Sequence, residues 1–301
     1  SNFNTSSVTN MSGMFQSASG LTNLDLSNFD TSSVTDMRMM FTLASGLISL
    51  DLSGFENTFV TDMSNMFDGA VALINLDLTN FNTSAVTNMS RMFSNTQGLT
   101  SLDLTNFDTS AVTNMSEMFR GPSGLTSLDL TNFNTSAVTN MDSMFRGTTG
   151  LTILDLSNFN TSAVTNMDSM FKGATGLTSL DLTNFDTSAV TNMNSMFRGT
   201  TSITKLNLMN WDVSLPPTNT NIFTDMTAPI FCNDPDNGGT AAFGTGTIFG
   251  VACTPPLIMS GADSFDKLVI QGLNFDINSA DAGLTYSCTY DSTIDGSITG
   301  A

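Results

Sequence analysis

LTSLDLTNFDTSAVTNMSEMFRGPSG, residues 99–124, returns with little change along most of the chain, at a period of 26 residues that no insertion or deletion interrupts. Aligned at that period, one aromatic column reads Phe3, Phe29, Phe55, Phe81, Phe107, Phe133, Phe159, Phe185 and Trp211. A leucine column runs from Leu24 to Leu206, and each member has a second leucine two residues on, Leu26 to Leu208. A constant register of this kind predicts a repeat solenoid, one coil per repeat.

Within the coil, Leu102-Asp103-Leu104 alternates apolar and polar residues, which predicts a short strand with its leucines inward. TSAVTN then offers one inward residue, Val112, and suits an extended or turning segment. Met115, Met118 and Phe119 follow at i, i+3 and i+4, the spacing of one helical face. Asn114 fits as its N-cap with Glu117 three residues on, and Gly121 fits a left-handed end. The expected coil is strand, turn, short helical turn and loop, with the strands side by side in a parallel β-sheet face and the crossovers right-handed. One coil buries too little apolar surface to offset the ordering of its own backbone, so each depends on its neighbours.

The run LxxLxLxxF followed by VTNMxxMF resembles the BspA-like leucine-rich-repeat surface proteins of bacteria and some protists. The resemblance covers residues 1–223, about eight and a half coils. It implies a leucine-rich-repeat solenoid on a secreted or surface-anchored protein, often an adhesin, and it implies no catalytic residues.

After Trp211 the repeat decays, and TNTNIF, ending at Phe223, reads as the last coil. Six of the seven prolines lie beyond residue 214, so 224–256 reads as a Pro/Gly-rich loop or cap. KLVIQGLNFDI and LTYSCTYDST have strand character, which makes 257–301 a small β-rich segment or an irregular cover over the end of the stack. Cys232, Cys253 and Cys288 all follow the repeats; Cys232–Cys253 is the preferred bridge, closing a Gly-rich loop. The chain opens at Ser1-Asn2-Phe3, inside a repeat, so a leader or upstream coils are expected to be missing from it. Seven Asn-x-Ser/Thr sequons arise easily in so Asn-, Ser- and Thr-rich a sequence, and they carry little weight for glycosylation.

Charged residues make up 12% of the chain, the net charge is −19, and there is no histidine. That balance argues against nucleic-acid binding, which needs a basic face. No run of 18 apolar residues predicts a membrane span. Without histidine there is no Ser-His or Cys-His nucleophile pair and no imidazole metal ligand. No catalytic constellation or cofactor motif stands out, and the expectation is a protein that is not an enzyme.

A fixed period turns each outward position into a ladder with rungs about 4.8 Å apart. Asp77, Asp103, Asp129, Asp155 and Asp181 form the acidic one, extended by Asp25 and Asp51 and ended by Asn207. Like charges at that spacing repel. Solvent and salt, hydrogen bonds from flanking Ser and Thr, or weakly held Ca2+ are the three ways to offset this, and one carboxylate per coil is sparse for a cation needing six to eight oxygens. Arg120, Arg146, Lys172 and Arg198 form a basic ladder after the MF pair: a solvated row, or a contact for an anionic glycan or for the acidic face of another copy. Ala85, Ala111, Ala137, Ala163 and Ala189, each two residues before a threonine, form a flat Ala/Thr ladder. The asparagine column Asn88, Asn114, Asn140, Asn166 and Asn192 reads as a turn device, and the methionines as core filler.

The expected function is non-enzymatic, extracellular or at the cell surface: adhesion, or building an extracellular assembly that is filamentous if copies join head to tail. Its partners would be other copies, or a host or extracellular protein or glycan. The alternatives are ice- or crystal-surface binding through the Ala/Thr ladder, and a glycan-binding module.

Overall fold

The computed structural model of the chain describes residues 3–208, 211 and 221–226 in full, and the backbone of the short strands at 230–232, 247–248, 251–252, 268–270 and 273–275. Successive 26-residue coils are bonded to one another in parallel. Strand β1 (Ser49–Asp51) pairs with β2 (Asn75–Asp77), setting Leu50 against Leu76 and Asp51 against Asp77. Strand β3 (Ser179–Asp181) pairs with β4 (Lys205–Leu208) in the same way. Isolated parallel bridges continue the register at the asparagine column, from Asn10–Asp36 through Asn166–Asn192.

The parallel face is not one continuous sheet. Between β2 and β3 the residues at 101–104, 127–130 and 153–156 keep the leucine-in alternation without forming strands, with polar residues outward except Ile153, which is exposed. Side-chain amides tie these coils instead. Asn132 Nδ2 donates to the carbonyls of Leu104 at 2.9 Å and Phe107 at 3.0 Å in the coil before, and Asn158 repeats this on Leu130 and Phe133.

The core fills from every part of the coil. Leu104, Val112, Met115, Met118 and Phe119 are buried, and so are Phe81, Phe107, Phe133, Phe159 and Phe185 of the aromatic column. The column frays at the start, where Phe29 is only partly buried and Phe3 is 67% exposed. The phenyl rings of the MF pairs stack: Phe93, Phe119, Phe145, Phe171 and Phe197 follow one another at 5.7–5.8 Å between centroids, within 10° of parallel. Such aromatic pairs add about 0.5–1.5 kcal/mol beyond area burial.

The expected helical turn is absent. Among the described residues there is no helix. Glu117 has φ +55° and Gly121 φ +73°, and left-handed residues recur at Ser143, Ser169 and Ser195. A left-handed residue in mid-turn stops α-helical propagation. It also turns alternate peptide groups toward the neighbouring coil. Met115, Glu117, Phe119 and Gly121 donate N–H bonds to Asn140, Asp142, Met144 and Arg146. Between them, Met118 and Arg120 bond back three residues to Met115 and Glu117. The i, i+3, i+4 burial that suggested a helix is real, but the stacked neighbour supplies four of these six hydrogen bonds. As for capping, Asn114 Oδ1 accepts the Ser116 N–H at 3.0 Å, while Glu117 pairs with arginines rather than closing a box.

Strand β5 (Ile230–Cys232) joins the β3–β4 sheet in parallel, with Leu206 opposite Ile230, and so extends the pairing past residue 223. Two antiparallel hairpins follow, β6 (Thr247–Ile248) with β7 (Val251–Ala252) and β8 (Leu268–Ile270) with β9 (Leu273–Phe275). Cys253, Cys288 and most of 257–301 lie outside the described residues, and so does the proposed Cys232–Cys253 bridge.

Candidate binding surface

The coil at residues 99–124 is bent at three points where an Asp or Asn side chain accepts the N–H two residues on, the turn these side chains favour, and most other coils repeat this. Asp103 Oδ1 takes the Thr105 N–H at 3.0 Å, Asp108 Oδ1 the Ser110 N–H at 2.9 Å, and Asn114 Oδ1 the Ser116 N–H at 3.0 Å. The acidic ladder is therefore part of the corner chemistry. Asp77, Asp129, Asp155 and Asp181 make the same bond to Thr79, Thr131, Ser157 and Thr183. All five are exposed.

These bonds answer the repulsion. The Thr105 N–H, then its hydroxyl, hold the Asp103 carboxyl below the usual carboxylate range, against a smaller upward push from burial and from Asp129. Asp129 and Asp155 are lowered by the same pair of donors. One oxygen of each carboxylate is thus committed, and the second oxygen of Asp181 also accepts the Asn207 amide at 3.2 Å. Among the described residues no three acidic or cysteine side chains converge as metal ligands do. A shallow depression of about 400 Å³ runs along this row, lined by Asp51, Asp77, Asp103, Ile74 and Asn106. A second holds Asp155, Asp181 and Asn184.

The basic ladder sits on the turn that carries Phe119. Arg120 donates to Glu117 at 2.6 Å, and Arg91 reaches the same carboxylate from the preceding coil at 3.0 Å. Burial pushes the Glu117 carboxyl up, but the bonds from Arg91 and Arg120 outweigh it and leave the group below its ordinary value. Arg198 lies 3.9 Å from Asp225. Arg146 and Lys172 form no ion pair among the described residues, and each is partly exposed. Beside the row, burial raises the Asp142 carboxyl, aided by Asp168 and Glu117, against a bond from Ser143 that lowers it.

On the Ala/Thr ladder, the hydroxyls of Thr87, Thr113, Thr139 and Thr165 each donate to the threonine carbonyl of the preceding coil at 3.2 Å, so they share one orientation.

Two columns escaped the sequence reading. Thr83, Thr109, Thr135 and Thr161 are buried. Thr109 Oγ1 donates to the Asn134 carbonyl at 3.0 Å and accepts the Asn134 N–H at 2.8 Å. The bridging amides of Asn132, Asn158 and Asn184 form the second. The spacing to the next coil, 25 residues for threonine and 25–28 for asparagine, was visible in the repeat, but a polar residue between exposed neighbours carries no burial signal.

A search of the curated proteins finds no match. Among solved structures the chain is similar to the functional domain of InlJ from Listeria monocytogenes, which includes a cysteine ladder, at 16% identity and a TM-score of 0.21. That likeness covers 71% of this chain, which spans about half (52%) of the other, and it is too slight to carry an argument. No helix among the described residues is long and apolar enough to cross a membrane. A family model matches at residues 1–70, 46–148 and 123–234, and the chain therefore belongs to the family described as Mycoplasma protein of unknown function, DUF285.

Proposed function

We propose that this chain is a non-enzymatic display scaffold at the cell surface or outside the cell, a right-handed, leucine-rich-repeat-like solenoid over residues 1–223 that presents ordered rows of side chains to a macromolecular partner. One observation carries the reading: the outward Asp column keeps one register from coil to coil and is pinned from beneath by corner bonds such as Asp103 to Thr105. A surface of that kind costs little side-chain entropy to engage, which favours multipoint contact. The basic row is the partner-facing candidate, and weak Ca2+ along Asp77–Asp181 would be incidental to it. The test is binding of the purified chain to immobilised extracellular glycans and matrix proteins, compared with Arg146→Glu/Lys172→Glu. Saturable binding that the variant loses supports the reading. Binding to none of these surfaces, together with no association between copies of the chain, overturns it.

Ice or crystal-surface binding is the second reading, favoured by the single orientation that the Thr113 and Thr139 hydroxyls share. Thermal hysteresis that disappears on replacing both threonines with a bulky residue would select it.

A further inference from the structure

Half of the chain's eight cationic side chains stand in one row, Arg120, Arg146, Lys172 and Arg198, in a molecule of net charge −19. With one residue per coil, their spacing is set by coil stacking, about 4.8 Å. The acidic row Asp77–Asp181 has the same spacing for the same reason. Two rows of opposite sign and equal pitch fit each other, with Arg146 and Lys172, which form no ion pair among the described residues, as the rungs that carry the contact. An unrelated polyanion matches such a pitch only by coincidence, whereas another copy matches it by construction.

The surroundings of both rows suit such a contact. Gly121, Gly147, Gly173 and Gly199 follow the four cations, all with positive φ. A Cβ at Gly147 would meet only the Gly121 Cα at 3.9 Å, and one at Gly173 would meet nothing within 4 Å. The ground beside Arg146 and Lys172 is bare and their long side chains form a ridge over it, whereas a Cβ at Gly121, beside Arg120, would meet Asn95 Oδ1 at 2.8 Å. The carboxylates have one oxygen anchored by the N–H two residues on, and these bonds hold Asp103, Asp129 and Asp155 below the usual carboxylate range. They lie along shallow depressions that accept a ridge. Asp103 follows an inward leucine of the strand segment and Arg120 follows an inward phenylalanine of the turn, so the rows leave the core at different places on the coil.

We propose that the basic row of one chain docks lengthwise along the acidic row of a second copy. This deepens the scaffold reading and rests on it, by naming the partner. The contact is heterologous, so the first copy keeps its acidic row free and the second its basic row, and association runs on into lateral arrays. Net charge opposes it at long range, while the rows attract at contact. Screening lengths of about 30 Å at 0.01 M, 8 Å at 0.15 M and 3 Å at 1 M then place the strongest association at the middle salt.

Sedimentation velocity on the intact chain tests this. Concentration-dependent association should peak near 0.15 M salt and fall on either side. Arg146→Glu/Lys172→Glu should weaken it about tenfold or more, and Asp129→Lys/Asp155→Lys should do the same. Mixed together, the two variants should associate with each other, each offering the row the other has lost. A cooperative thermal melt shows that each variant folds, with the midpoint of Asp129→Lys/Asp155→Lys lowered by the two corner bonds it loses. A wild-type chain that stays monomeric at all three salts overturns the proposal, and so does a charge reversal without effect or a mixture that fails to associate. A sulfated oligosaccharide that binds at Arg146 and Lys172 on a monomeric chain also overturns it, yet leaves the scaffold reading standing.

Discussion

Asn57 occupies the buried threonine column, between Thr31 and Thr83, and it is 1% exposed. Its Oδ1 and Nδ2 are both buried without a hydrogen-bond partner. In the coil before, Thr31 Oγ1 donates to the Glu56 carbonyl at 3.2 Å and accepts the Glu56 N–H at 2.7 Å. In the coil after, Thr83 makes the same pair with Asp108, both at 2.9 Å. Asn57→Thr should restore that pair toward Asn82. Removing an orphaned buried amide is worth about 1–3 kcal/mol, and each hydrogen bond regained about 0.5–1.5 kcal/mol. The lost volume and the imperfect fit of a new hydroxyl take some of this back, leaving about 2–4 kcal/mol in favour of the variant. Urea unfolding followed by circular dichroism, together with limited proteolysis around residues 54–59, reads the gain globally and locally. Thr109→Asn is the mirror experiment and should lose a similar amount. An unchanged or lowered midpoint for Asn57→Thr would refute the idea that reciprocal threonine bonds hold the coils together.

Ser195 tests the turn that replaced the expected helix, because its φ is +55°. Ser195→Gly should be near neutral and Ser195→Val should cost about 1–2 kcal/mol, since a β-branched residue resists the left-handed region; equal melting points for the two would argue for a helical turn after all. Asp142→Asn should stabilise the chain at neutral pH. Burial, Asp168 and Glu117 raise this carboxyl, so its ionised form disfavours folding. That cost is relieved as pH falls through the raised folded value and is gone below the unfolded value of about 3.9, so the advantage of the variant should vanish in acid. A benefit that persists in acid would point to packing instead. Asp103 has the opposite sign: its lowered carboxyl contributes stability above the unfolded value and loses it as pH falls through the folded one, so Asp103→Asn should flatten the acid limb of the melt. Calcium should raise the melting temperature by no more than about 2 °C, an RT ln(1 + [L]/Kd) effect of a weak site. Complete unfolding by a chelator would reveal a structural cation.

The sequence carried the coil's inside and outside well, and its hydrogen bonding poorly, for a physical reason. Burial follows apolar spacing, and Leu104, Val112, Met115, Met118 and Phe119 are legible because each is apolar at a fixed place in the period. Hydrogen bonding in a stack is settled between coils, where local spacing says nothing. Met115, Met118 and Phe119 have the burial pattern of a helical face, but the N–H groups of Met115 and Phe119 go to the next coil, so the same pattern belongs to a different backbone. The leucine alternation likewise implied one sheet, whereas Asn132 and Asn158 take over the strand's task in the middle coils. The acidic row shows the opposite case. The charge repulsion was plain from the sequence, and so was the supply of Ser and Thr two residues on that could relieve it. Thr105 and its equivalents do relieve it, at the corner of the coil. A row that is both a corner and a charge array cannot be discarded without loosening the fold. Asp103→Ala should therefore cost stability as well as any partner contact, whereas Arg146→Ala, with no ion pair to lose, should touch only the contact. Melting both variants beside a binding or self-association assay separates the two roles. Equal stability losses for Asp103→Ala and Arg146→Ala would show that the acidic row is not the corner it is taken to be.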